Sequence, residues 1–101
     1  MIELLALPGW KTASTTLTAW VEAIGGLGHE VATTRESATV SWVEVPALRF
    51  RGYVMTQGTH VEAIHFELAA PDPAPARAVL EQAAASLGWE LTEDDDPPDD
   101  D

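Results

Sequence analysis

The chain contains no cysteine. Disulfides, thiolate zinc centres and thiol nucleophiles are thereby excluded, and the redox compartment stays open. Basic residues are scarce too: five Lys and Arg stand against seventeen Asp and Glu, giving a net charge of −12. So few cations are poorly suited to neutralising a phosphate backbone, which weighs against nucleic acid as a partner. No apolar run approaches the ~18 residues a membrane-spanning helix requires. The opening MIELLALPGW has no basic segment, carries Glu3 within its apolar run and meets Pro8 early, so it does not read as a secretory signal. A soluble, cytoplasmic, acidic protein is expected.

What is present fits one small domain. Apolar residues make up 46% of 101 positions, enough for one modest core but not for a cavity around a large cofactor, so none is expected. The acids are unevenly placed. Seven of the seventeen fall in residues 93–101, which leaves residues 1–92 with ten acids against five bases. The expected division is a folded domain over 1–93 and a disordered acidic tail over 94–101, self-repelling and broken by Pro97 and Pro98. Deleting 94–101 should leave the thermal midpoint within a few degrees of wild type by calorimetry. A large fall would mean that the tail docks on the body.

Periodicity supplies the elements. IELLAL (2–7) reads as a short buried strand closed by Pro8–Gly9. Leu17, Trp20, Val21, Ile24 and Leu27 recur at helical spacing, with Thr12, Ser14 or Thr15 as cap and GGLG (25–28) as terminator. HEVATT (29–34), ATVSWVEV (38–45), LRFRGYVM (48–55) and THVEAIHFEL (59–68) read as strands. A second helix is expected over 74–87, with Ala76, Val79, Leu80, Ala83 and Leu87 on one side, and WELTE (89–93) as a last strand.

The order β-α-β-β-β-β-α-β predicts an α+β two-layer sandwich: one mostly antiparallel sheet, both helices on one face, ferredoxin-like with an added hairpin. LGHEV (27–31) and LGWEL (87–91) each carry a helix end through glycine into a strand, suggesting one β-α-β unit used twice. A hairpin centred on Pro46–Ala47 pairs Glu44 with Arg49 and Trp42 with Arg51. A loop at TQG (56–58) then sets Leu48 near Phe66, Phe50 near Ile64 and Arg49 near His65.

GTHVEAIHFEL (58–68) holds two of the three histidines. On a regular strand His60 and Glu62 face one way while His65 and Glu67 face the other, so the two histidines do not converge on one metal. The spacing of five also misses the helical zinc pair, and no metal site is expected. PGWKT (8–12) lies where phosphate loops lie, but the upstream glycine of that motif is missing, so a strand exit and helix cap is the reading. No catalytic set of acid, base and nucleophile assembles, and the reading leans away from an enzyme. The β-α-β-β-β opening half resembles the module of vicinal-oxygen-chelate enzymes. That likeness keeps a small enzyme of their type as an alternative, although no ligand falls on the first strand.

The distinctive feature is one sheet face. Leu48, Phe50, Val54, Ile64, Phe66 and Leu68 are expected to face the helices. Trp42, Val40, Arg49, Arg51, Tyr53, Met55, Val61, Ala63 and His65 fall on the other side. Large apolar groups mixed with arginine have the composition of an interface core rather than a solvated sheet. The candidate binding residues are therefore Trp42, Arg49, Arg51, Tyr53, Met55 and His65. The function expected is a non-enzymatic ferredoxin-like module of regulatory type that forms a homodimer through this face and binds a protein partner or small ligand. The alternative is a nucleic-acid-binding sheet resembling RNA-recognition domains, which the charge disfavours.

Overall fold

The computed structural model describes residues 2–9 and 15–93. In chain order these form β1 (Ile2–Pro8), α1 (Leu17–Gly25), β2 (Ala32–Arg35), β3 (Val40–Val45), a 3-10 turn (Pro46–Leu48), β4 (Phe50–Gln57), β5 (His60–Leu68), α2 (Ala74–Leu87) and β6 (Trp89–Glu93). The acidic tail, 94–101, lies outside the described residues. All six strands join one antiparallel sheet in the order β2-β3-β4-β5-β1-β6. β1 and β2 consequently run in the same direction with three strands between them, and α1 joins them. β5 and β6 likewise run in the same direction on either side of β1, and α2 joins those. Each helix thus bridges two parallel strands that are not neighbours.

Trp20 and Ile24 of α1 and Ala76, Val79, Leu80, Ala83 and Ala84 of α2 belong to one hydrophobic cluster with Leu4, Ala6, Val43, Val45, Phe50, Val54, Ile64, Phe66, Leu68 and Trp89. Apart from Val61, which an irregularity in β5 turns inward, the strand members share one parity on each strand, so both helices cover a single face of the sheet. At the centre, Trp20 meets Trp89 edge-on at 5.3 Å and Phe66 at 5.8 Å, and Phe50 meets Phe66 at 6.0 Å. Arg77 ties α2 to the last strand through Glu93 at 2.7 Å, with Glu81 at 3.2 Å.

α1 is capped by Thr16, whose hydroxyl accepts the Ala19 amide at 3.2 Å. Of the three residues expected as caps, Thr12 and Ser14 fall outside the described residues, and Thr15 has another task. Its buried hydroxyl accepts the Trp89 indole N–H at 3.0 Å, which pins the entrance of α1 to β6. Thr15→Val should strand that buried donor and lower stability by about 1–3 kcal/mol in urea unfolding. A change below ~0.5 kcal/mol would mean that another acceptor replaces the hydroxyl. Leu27 lies beyond the helix and is exposed. Gly28 and Gly88 have φ of 95° and 77°, so both LG turns leave their helices through the left-handed region where glycine is favoured.

The strand registers differ from expectation. Val45 pairs with Phe50, which sets Glu44 opposite Arg51 and Trp42 opposite Tyr53. The connection is four residues, a 3-10 turn plus Arg49 in the left-handed conformation at φ 56°, rather than Pro46–Ala47 alone. Leu48 and Arg49 are therefore not strand residues. β4 runs on to Gln57, the next loop shrinks to Gly58–Thr59, and Phe50 pairs with Leu68, Gly52 with Phe66 and Val54 with Ile64. Because each slip is an even number of residues, the parity of Phe50, Val54, Ile64, Phe66 and Leu68 survives, and these five face the helices.

Candidate interaction face

The face opposite the helices is assembled by register. Thr34, Trp42, Tyr53, His65, Leu5 and Thr92 are successive cross-strand partners, a row that crosses all six strands. On one side of it runs a charged row, Glu44–Arg51–Glu67–Glu3. On the other lie Val40, Met55 and Ala63, with Leu7 across from Glu90. Trp42, Tyr53, Met55, Leu5 and His65 are half-buried and Leu7 is 42% exposed, although no described helix covers them. An apolar band bordered by charge is what a dry interface centre with a polar rim requires.

Trp42 is held from several sides. It stacks edge-on against Tyr53 at 5.0 Å, the Arg51 guanidinium lies 5.0 Å from its ring centre, and its indole N–H donates to the Glu36 carboxylate. Arg51 also binds Glu67 at 3.0 Å. The expected neighbours Trp42 and Arg51 thus meet diagonally, through cation–π contact rather than as register partners. A large aromatic side chain with its rotamer already fixed has little entropy left to lose when a partner covers it.

Of the six candidate residues, the structure brings Trp42, Arg51, Tyr53, Met55 and His65 onto this face. Arg49 leaves the strand but not the neighbourhood: the loop holds it at the hairpin end, where it lines a depression of about 490 Å³ together with Glu44, Arg51 and Glu67 of the charged row. Val61 leaves the face. Met55 pairs with Ala63 but Thr56 pairs with Val61, so Glu62 bulges out of the ladder and the parity of β5 changes there. Val61 turns into the helix-side cluster, whereas Ala63 stays on the open face beside Met55.

The same bulge overturns the expected arrangement of the histidines. His60 and His65 lie on one face, since His60 pairs with Gln57 and His65 with Tyr53. Four residues lie between them, however, and hold them about 15 Å apart. His65 approaches Glu3 at 3.2 Å instead. No group of three or more His, Asp or Glu side chains that could hold a metal occurs among the described residues.

Glu3, Leu5, Leu7 and Glu36 belong to this surface but are not singled out by the sequence reading. The alternation of β1, with Leu4 and Ala6 buried and Glu3, Leu5 and Leu7 on the other side, is the signal that identifies the first three, whereas Glu36 joins only through its bond to Trp42. Comparison with family models, curated proteins and solved structures finds no match to this chain.

Proposed function

We propose that this chain is a small non-enzymatic binding module of ferredoxin-like topology, with the β3–β4 hairpin inserted, that forms a homodimer through its open sheet face. The observation that carries the reading is the Trp42–Tyr53–His65–Leu5 row with Met55 and Leu7 beside it. Six strands at ~4.8 Å spacing and about seven residues at ~3.3 Å give a face of about 670 Å². That approaches the ~800 Å² per partner of a standard interface. The edges are less suitable. β2 is four residues long and ends in Arg35, and β6 carries Glu90 and Glu93, features that discourage strand addition.

Nucleic acid is the weaker reading. Arg51 is engaged by Glu67, and Arg77 by Glu81 and Glu93, so these cations are neutralised where they stand. A protein partner or small ligand would be taken by the dimer. Sedimentation equilibrium at micromolar concentration tests the proposal, with a mass twice the 10.8 kDa of one chain as the expected result. A single 10.8 kDa species at high micromolar concentration would overturn it.

A further inference from the structure

On the helix-facing side of the sheet, the entrance of α1 and strands β2 and β3 enclose a cleft of about 460 Å³. We propose that this cleft binds a small phosphate ester through its oxyanion. Its chemistry is unlike the rest of the molecule. In a chain with seventeen acids, no acid is found among the described lining residues, which include seven hydroxyl side chains and Arg35.

Three features point at one ligand. The first is Ser41, 8% exposed and part of the cleft wall, whose hydroxyl has no hydrogen-bond partner among the described residues. The helix-facing positions of β3 continue as Val43 and Val45, so an apolar residue at 41 would suit the packing. Trp20 Nε1, not this hydroxyl, is the buried polar side-chain atom without a partner among the described residues, so the Ser41 hydroxyl opens into the cleft, where an entering ligand can bond to it. The second is Arg35, the register partner of Ser41 and thus on the same side of the sheet. Its Nε donates to the Ser37 carbonyl at 3.3 Å, and no carboxylate pairs with it among the described residues.

The third is the start of α1. Thr16 satisfies the Ala19 amide, which leaves the amides of Leu17 and Thr18 with no acceptor inside the helix. No acid stands in the first turn to offset the positive end of the helix dipole. Helix amides, a guanidinium with no carboxylate partner among the described residues and a hydroxyl lining the cleft together form the donor set that a tetrahedral oxyanion accepts from. Thr33, Thr56 and Thr59 add hydroxyls around it for the organic part of the ester, and the volume exceeds what phosphate alone would fill.

The cleft opens mainly on the helix-facing side and meets the open face only at the β2 edge, where Thr34 borders both, so a test at Arg35 and Ser41 is separate from self-association through Trp42 and Tyr53. The test is an amide NMR titration of the full chain at constant ionic strength, using inorganic phosphate in one arm and glycerol 3-phosphate in the other. Saturable shifts are expected at residues 16–18, 33–35 and 41, tighter for the ester. Arg35→Gln, at an exposed edge position, should weaken binding about tenfold without changing the thermal midpoint, and Ser41→Ala should weaken it severalfold. Shifts that do not saturate, or binding unchanged in both variants, would overturn the site. Inorganic phosphate binding as tightly as the ester would overturn the assignment of the ligand class.

Discussion

Gly52→Ala should destabilise the protein by about 1–3 kcal/mol, the cost of forcing a methyl group into a filled core. Gly52 sits in the middle of β4 on the helix-facing parity, directly opposite Phe66. A Cβ there would lie 2.8 Å from Phe66 Cδ1 and Cε1 and 2.9 Å from Ile64 Cγ2, all of them side-chain atoms. Neither neighbour can yield easily. Phe66 is 0% exposed and flanked by Trp20 and Phe50, and Ile64 is 0% exposed. The phenyl ring covers the glycine, filling space that a side chain on β4 would otherwise occupy. At ~4–8 °C per kcal/mol for a domain this small, the thermal midpoint should fall by several degrees or more. Gly25→Ala is the control: nothing lies within 4 Å of its Cβ position, so it should be neutral or slightly stabilising. Phe66→Leu in the Gly52→Ala background should cost less than it does alone, because the smaller side chain relieves the clash. A Gly52→Ala loss below ~0.5 kcal/mol would show that the ring moves freely, contrary to this packing.

The parts of the fold legible in the sequence are those marked by strong local signals. α2 begins and ends where expected, at Ala74–Leu87, because prolines confine its entrance and Gly88 supplies the left-handed exit. Strand faces were legible because alternation fixes parity whatever the loop length. Register was not. PALR contains no glycine or asparagine to announce a left-handed residue, yet Arg49 takes that conformation and adds two residues to the loop. The bulge at Glu62 left only a faint trace, the adjacent apolar pair Ala63–Ile64 in an otherwise alternating run. Missing it misplaced Val61 and the face of His60. Strand order is set by long-range pairing that no local pattern encodes, and so the contribution of β1 to the open face went unread. Trp42, Arg51, Tyr53, Met55 and His65 nonetheless share one sheet face, since parity alone decides that.

Trp42→Glu and Tyr53→Glu should each convert the proposed dimer to a monomer that keeps its helical circular dichroism. Both side chains project from the face away from the helices, so neither contributes to the cluster that holds α1 and α2. They are half-buried within one chain, and complete burial of such a side chain is worth up to roughly 1.5–3 kcal/mol. In a two-fold interface every substitution occurs twice. Two lost burials plus carboxylates forced into an apolar centre should therefore weaken association by on the order of 4–6 kcal/mol, about a thousandfold or more in Kd. Trp42→Glu also removes the ring beneath Arg51 and the donor to Glu36, so Tyr53→Glu and Met55→Glu serve as independent probes of the same surface. Arg51→Gln should have a smaller effect, because its guanidinium is exposed and shared with Glu67 at the rim. Analytical ultracentrifugation of the four variants beside wild type, with circular dichroism on the same samples, measures both halves of the expectation. Variants that remain dimeric would move the interface to an edge strand, whereas variants that lose their helical signal would mean that Trp42 and Tyr53 support the monomer's own fold.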